Sequence, residues 1–332
     1  VRVQEDVPLA PLTTLGVGGR AMRLLDVEGV GELADALATT AGPVLVLGGG
    51  SNLVIRDDGW CGTVVRLALH ELDAADDVVT AGAGVIWDGF VAAMVQQGRA
   101  GVECLAGIPG LVGATPMQNV GAYGQEVADS IVDVTAYDRD TARFVRIAAA
   151  DCGFAYRDSR FRGSARWVIT AVRFRLPRAE QSAPIRYAEL ATALGVSPGA
   201  CAPLARVRET VLALRRRKGM VLDPADPDTR SAGSFFTNPI VAAELAARLP
   251  DTAPRWPQPD GRVKLAAAWL IEHAGFARGM QRGEVGISTK HALALVTRRG
   301  ASAAELLAFA HEIQFGVRVS FGVDLAMEPV IA

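Results

Sequence analysis

The sequence is poor in residues that staple a fold or hold a metal. Its 332 residues include only four cysteines and four histidines. Cys61, Cys104, Cys152 and Cys201 lie far apart, and no pair has metal-ligand spacing, so neither a disulfide framework nor a Cys/His metal centre is expected. No apolar run approaches the roughly 20 residues that cross a bilayer. Val1 to Pro11 lacks a basic segment followed by an apolar stretch, so no signal peptide is expected. Neither sign of charge dominates: 34 basic residues face 36 acidic ones, without the basic excess of a general nucleic-acid binder. These absences lead to the expectation of a cytoplasmic protein with free thiols, no metal, no membrane insertion and no nucleic-acid partner.

What the chain has is length and well-placed glycine. At roughly 150 residues per domain, it holds two or three domains. Ala21 to Asp26 reads as a strand, Val30 to Ala38 as a helix, and Val44 to Leu47 as a strand that stops on Gly48-Gly49-Gly50-Ser51-Asn52. Thr63 to Leu67 follows as another strand. A second unit starts near Val78, with a strand over 78–81, a helix over 87–97, and strands over 131–138 and 167–176. The mixed stretch Pro177 to Pro203 reads as peripheral. Val207 to Arg217 is helical and ends in Arg215-Arg216-Arg217-Lys218, and Asp223 to Asp228 reads as a loop or boundary. The third unit carries helices near 242–248, 266–273 and 303–314, and the pattern predicts a last strand over Val317 to Leu325.

Three glycines after a buried strand allow positive φ and let successive N–H groups converge on an anion. A tight turn between two strands accounts for them equally well. The segment is neither a P-loop nor G-x-G-x-x-G, because the lysine and the spacings are absent. A second small-residue segment raises the interest of the first. Gly107-Ile108-Pro109-Gly110 and Gly113-Ala114-Thr115-Pro116 lead into Gln118-Asn119-Val120-Gly121-Ala122-Tyr123-Gly124. Such a surface lets backbone approach a flat or charged ligand, while Thr115, Gln118 and Asn119 supply polar groups. Two such surfaces in adjacent units suit a dinucleotide.

The blocks resemble, in order and over nearly the whole chain, the MurB family of UDP-N-acetylenolpyruvoylglucosamine reductases. The resemblance runs from Leu12-Thr13-Thr14 with Gly16, Gly18 and Gly19, through both glycine segments, to Tyr156-Arg157-Asp158-Ser159, Ser231 to Pro239, and Glu328-Pro329. The first two blocks alone are similar to the broader FAD-binding fold of vanillyl-alcohol oxidase type. The implied fold is α+β: a two-part FAD-binding domain of that type and a C-terminal α+β substrate domain. The expected boundaries are 1–67 and 68–220 for the two FAD subdomains, with 317–332 returning to the second, and 221–316 for the substrate domain.

The resemblance implies non-covalent FAD, since no histidine lies near the first loop to tether it. It also implies NADPH as hydride source and a nucleotide-sugar substrate of peptidoglycan synthesis. Its FAD contacts fall on Gly48, Gly49, Gly50, Ser51, Asn52, Gly107, Ile108, Pro109, Gly113, Ala114, Thr115, Gln118, Asn119, Gly121, Ala122 and Tyr123. Its catalytic arginine, serine and glutamate fall on Arg157, Ser234 and Glu328. Hydride from reduced flavin N5 would reach C3 of the enolpyruvyl group, and charge would develop on C2 and the carboxylate. Arg157 offers that carboxylate a fixed fork of donors. Ser234 would give the proton to C2, and Glu328, if protonated, would donate to the other carboxylate oxygen. Tyr187, Arg215, Lys218 and Asn238 would meet the substrate, with Tyr187 on a loop that closes over it. Taken singly, Arg157 also reads as a structural ion pair, Ser234 as a local cap, Glu328 as a solvated terminus and the 215–218 run as a solvated helix end. Phe235 and Phe236 read as core anchors. An FAD-dependent sugar or alcohol oxidase of the same superfamily is the competing function, and a nucleotide-sugar binding or structural protein the non-enzymatic one.

Overall fold

The computed structural model describes residues 1–332. The chain groups into two compact units, each discontinuous in sequence. The first comprises residues 1–7, 21–50 and 60–217, and the second residues 8–20, 51–59 and 218–332.

The first unit holds two sheets. One has four strands in the order Arg2–Pro8, Arg20–Val27, Trp60–Leu67, Val44–Leu47. The last three run parallel, with Leu24 opposite Val64 and Leu45 opposite Val64 on its other side. Helix α1, Val30–Ala38, makes the crossover between Arg20–Val27 and Val44–Leu47, which run parallel on either side of Trp60–Leu67. Its buried Leu33 and Ala36 join Leu25, Val27, Val65 and Leu67 in one core. The other sheet is antiparallel, in the order Arg143–Ala148, Ile131–Asp138, Trp167–Arg175, Val78–Gly82, Leu72–Ala75. Helix α2, Trp87–Gln96, buries Trp87, Phe90, Val91 and Met94, and its aromatic rings pack on Phe174. Helix α3, Ala188–Leu194, and helix α4, Leu204–Arg217, complete the unit; α4 packs on both α2 and α3. Leu204, Val207, Val211 and Leu214 recur along α4 at helical spacing and are all buried, while its arginines close the last turn, where they complement the helix dipole.

The second unit is built from short pieces. Ile240–Val241, Val263–Leu265 and Arg255–Pro257 form one small sheet, and Gln281–Arg282, Val285–Ile287 and Leu295–Thr297 another. The C-terminal Val330–Ile331 pairs in parallel with Leu53–Val54. Helices α5, Ala243–Ala246, α6, Ala267–His273, and α7, Ala303–Phe321, surround a core that includes Phe235, Phe236, Leu270, Leu306 and Ile313. Residues 317–332 lie in this unit. None of the helices is long and apolar enough to cross a membrane.

The strand expected over Val317 to Leu325 is corrected: α7 continues through it to Phe321. A capping box starts this helix, with Ser302 and Glu305 satisfying each other's end of the first turn, and Asp57 accepts from the Ala303 and Ala304 N–H groups at 2.7 and 2.8 Å. So firmly nucleated, the helix carries through the β-branched Val317 and Val319 and stops only at Gly322, which takes φ of 66°.

Candidate active site

In the first unit the two glycine segments touch. A Cβ on Gly49 would lie 2.7 Å from the Gly110 Cα, and one on Gly48 would meet the Ala114 Cβ at 3.5 Å. Only hydrogen fits at Gly49, so two stretches of main chain approach each other directly. Gly50, Gly107 and Gly110 have φ of 59°, 70° and 120°. Behind them, Gly113 donates to the Ala83 carbonyl at 3.0 Å and Trp87 to the Gly110 carbonyl at 3.0 Å. The segment is thereby stitched to the turn that opens α2. Ile108, Pro109, Gln118, Gly121, Ala122 and Tyr123 are half-buried and Ala114 is exposed. Tightly packed, glycine-rich main chain of this kind fits a dinucleotide, whose pyrophosphate is met by backbone N–H groups.

Two polar residues of the segment face inward. Thr115 is 3% exposed and donates to the Val112 carbonyl at 2.8 Å. Asn119 is 1% exposed with φ of 47°. Its amide donates to Glu126 at 2.7 Å and to the Ala155 carbonyl at 3.1 Å, and its oxygen accepts from the Ala128 N–H. Asn119 thus pins the segment to the 155–158 turn.

That turn carries Arg157. Ala155 and Asp158 exchange both backbone hydrogen bonds, at 3.0 and 3.2 Å, leaving Tyr156 and Arg157 at the tip. Arg157 has φ of 54°, a conformation that costs an ordinary side chain about 1–2 kcal/mol. Its guanidinium donates to the Gly121 carbonyl at 2.7 Å and sits over the Tyr156 ring. Ser159 fixes the base of the turn by donating to the Met117 carbonyl at 2.7 Å. Arg157 is therefore held against the glycine segment by contacts at both ends of its own motif.

Tyr187 and Arg215 lie in the same neighbourhood. The Tyr187 ring stands edge-on to Tyr123, with centroids 5.5 Å apart. Burial pushes the Tyr123 hydroxyl up to about 12, against the nearby Arg215 charge, and raises Tyr187 too, helped by Glu189. Burial lowers the Arg215 guanidinium to about 10, opposed by Tyr123 and Asp88. Both tyrosines are thus neutral hydroxyl donors at physiological pH, and Arg215 stays charged. The structure brings Tyr123, Arg157, Tyr187 and Arg215 together around Gly121 to Gly124.

The second unit brings the serine and glutamate blocks together. The Glu328 N–H donates to the Phe235 carbonyl at 2.9 Å, and Thr237 donates to the Ala326 carbonyl at 3.0 Å. Phe236 and Met327 bridge between these bonds, so the chain around Ser234 and the chain around Glu328 run antiparallel. Phe235 and Phe236 are fully buried, as their anchoring role predicts, and Phe235 also donates to the Leu293 carbonyl at 2.7 Å. Gly233, at φ of 69°, sets the turn before Ser234. Ser234 and Glu328 are half-buried. Asn52 belongs to this unit with Ser51, and its amide donates to the Glu328 carbonyl at 3.4 Å. The Asn238 oxygen caps α6 by accepting from the Ala267 N–H at 2.9 Å, which leaves its NH₂ as the group to offer a ligand.

Lys218 precedes Gly219, whose φ is 66° and whose Cβ would press on Asp228 at 3.3–3.4 Å. Asp228 is a hub that sequence reasoning missed. It is 3% exposed and accepts from the Ser288 hydroxyl at 3.1 Å, from the Thr289 N–H and hydroxyl at 2.9 and 2.5 Å, and from Arg298 at 3.1 Å. Burial alone would raise its carboxyl; the bonds from Thr289, Arg298 and Ser288 overcome this and hold it below the usual range. One aspartate among three in the loop Asp223-Pro224-Ala225-Asp226-Pro227-Asp228 carries no signal of such a role. No cluster of three metal-ligating side chains is present.

Comparison with known proteins accounts for both units. A family model described as FAD binding domain matches residues 24–147, and one described as UDP-N-acetylenolpyruvoylglucosamine reductase, C-terminal domain, matches residues 224–332. Together with the sheets described above, they define an α+β fold with an FAD-binding part and a C-terminal α+β part. The chain is 54% identical to UDP-N-acetylenolpyruvoylglucosamine reductase of Thermobifida fusca, over 98% of this chain and 97% of that one. It is 52% identical to the enzyme of the same name from Streptomyces avermitilis, over 99% and 95%. The crystal structure of UDP-N-acetylenolpyruvylglucosamine reductase (MurB) from Thermus caldophilus matches with a TM-score of 0.72 at 27% identity, over 99% of this chain and 98% of that one. Identity at this level across the full chain shows that it belongs to the UDP-N-acetylenolpyruvoylglucosamine reductase family.

Proposed function

We propose that this protein reduces the enolpyruvyl group of UDP-N-acetylglucosamine enolpyruvate to give UDP-N-acetylmuramate, with electrons from NADPH passing through FAD. The reaction belongs to peptidoglycan synthesis and runs in the cytoplasm. Gly48 to Asn52 and the segment from Gly107 to Tyr123 hold FAD without a covalent bond. When bound, FAD supplies the hydride.

The chain's own residues govern the charge and the proton. Arg157 presents paired donors to the substrate carboxylate, where negative charge grows. Ser234 delivers the proton to C2, a role open to a weak acid because a carbanion-like centre is strongly basic. The acid form of Glu328 would donate to the second carboxylate oxygen. Tyr187, Arg215, Lys218 and Asn238 take the diphosphate: two cations and two neutral donors, which is the chemistry an anion of that kind needs.

The observation that carries this reading is the Glu328 N–H bond to the Phe235 carbonyl at 2.9 Å. It joins two motifs nearly a hundred residues apart, and a structural cap or a solvated terminus would not require it. Stopped-flow spectroscopy tests the reading. NADPH should bleach the flavin, and the enolpyruvyl sugar nucleotide should restore its colour without oxygen. Oxygen consumption with simple sugars and no NADPH-driven turnover would establish the oxidase instead.

A further inference from the structure

The dipeptide Trp87–Asp88 grips the loop 105–110 at three points. The Trp87 indole donates to the Leu105 carbonyl at 3.0 Å, the Trp87 N–H donates to the Gly110 carbonyl at 3.0 Å, and the Asp88 carboxylate accepts from the Gly107 N–H at 2.7 Å. The same carboxylate faces α4. Arg208 Nη2 lies 3.3 and 3.2 Å from its two oxygens. The Arg208 side chain is 21% exposed and its Nε is buried without a hydrogen-bond partner, so the charge leans heavily on Asp88. Arg215 lies seven residues further along α4, two turns on and on the same face, and it too feels the Asp88 charge.

An acidic residue in the first turn of a helix ordinarily serves the helix dipole. Asp88 does more than that, since its two oxygens reach a loop and a second helix. We propose that Asp88 is a positioning residue that locks the glycine loop to the helix bearing Arg215, so that one carboxylate sets both the cofactor loop and a substrate cation. The proposal rests on the reading of these parts as FAD and diphosphate sites.

The two bonds of Asp88 separate by mutation. Asp88→Asn keeps an acceptor for Gly107 and loses the ion pair; Asp88→Ala loses both; Arg208→Met loses only the pair. The Asp88 side chain is 38% exposed, which holds its charge-assisted bond to the lower end of the usual range, roughly tenfold in affinity. Asp88→Ala should therefore raise the FAD Kd, measured by fluorescence titration of the apoprotein, by about tenfold. Asp88→Asn and Arg208→Met should leave that Kd within about threefold of wild type and raise the KM for the sugar nucleotide by about tenfold, and the double variant should be no worse than either. Amide exchange at Gly107 reads the tie directly in the full chain without nucleotide, and it should accelerate in Asp88→Ala alone. Lower melting temperatures with unchanged Kd, KM and Gly107 exchange would reduce Asp88 to a helix stabiliser and overturn the proposal. Wild-type protein that fails to bind FAD would overturn the functional reading instead, while Gly107 exchange would still decide whether the tie exists.

Discussion

In the unit that carries the glycine loops, main chain does the positioning. Gly49 and Gly110 touch through bare backbone, and Asn119, Tyr123 and Arg157 all hold positive φ. In the other unit, side chains and paired backbone do it. Asp228 gathers Ser288, Thr289 and Arg298, Asp57 caps α7, and Ser234 stands beside a short antiparallel pairing with the Glu328 segment. Where bare main chain meets main chain, as at Gly49 and Gly110, an added Cβ is the costly change. Where a buried carboxylate collects its donors, as at Asp228, loss of the carboxylate is the costly change.

The largest effects fall on the proposed chemistry. Ser234→Ala should leave NADPH reduction of the flavin intact and slow its reoxidation by the enolpyruvyl substrate by roughly 10²–10⁴-fold. Stopped-flow absorbance separates the two half-reactions, and normal reoxidation would remove Ser234 from its role. Arg157→Lys should lower kcat by roughly 10²-fold, because lysine lacks the planar fork. A change in KM alone would mean that Arg157 contributes uniform binding.

Gly49→Ala strikes the backbone contact. Forcing a methyl to 2.7 Å from the Gly110 Cα should cost about 1–3 kcal/mol and appear as flavin lost on gel filtration. Gly233 offers the contrast. Nothing lies near its Cβ, so Gly233→Ala should cost only the strain of its positive φ, about 1–2 kcal/mol of stability, with flavin retained. Loss of flavin in both would erase the distinction between the units.

Asp228→Asn should destabilise the second unit by about 1–3 kcal/mol, seen as a lower Tm at neutral pH. The pH dependence follows from its lowered carboxyl. Its contribution is complete above the ordinary carboxylate range, near pH 4, and is lost as pH falls through the lower folded-state value. The wild-type advantage in Tm over Asp228→Asn should therefore shrink in acid. The smallest effect belongs to the exposed Arg282–Glu312 pair, where Arg282→Ala should change stability by less than about 1 kcal/mol.

Legibility in the sequence followed the same division. The first unit declared itself because its strands are long enough to show a period and its glycines are consecutive. The second did not, because strands of two or three residues, such as Val285–Ile287, carry no period, and β-branched residues at 317 and 319 mimic a strand within a helix set by its cap. The three proposed catalytic assignments, Arg157, Ser234 and Glu328, rest on family resemblance. Nothing local to Ser234 foretells Glu328, since their meeting depends on a pairing across long sequence separation. Asn119 reads from the sequence as a ligand contact, and the structure adds a second duty, since its side chain is bonded within the fold. Asp88 and Asp228 were invisible because a carboxylate's partners are a tertiary fact.

The left-handed conformation of Arg157 has an evolutionary edge. Glycine or asparagine would relax that turn tip, while neither could grip a carboxylate with paired donors. A library screened only for heat resistance should drift away from arginine at this codon, and one screened only for turnover should keep it. On the proposed role of Arg157, selection for durability and selection for rate pull in opposite directions at this position.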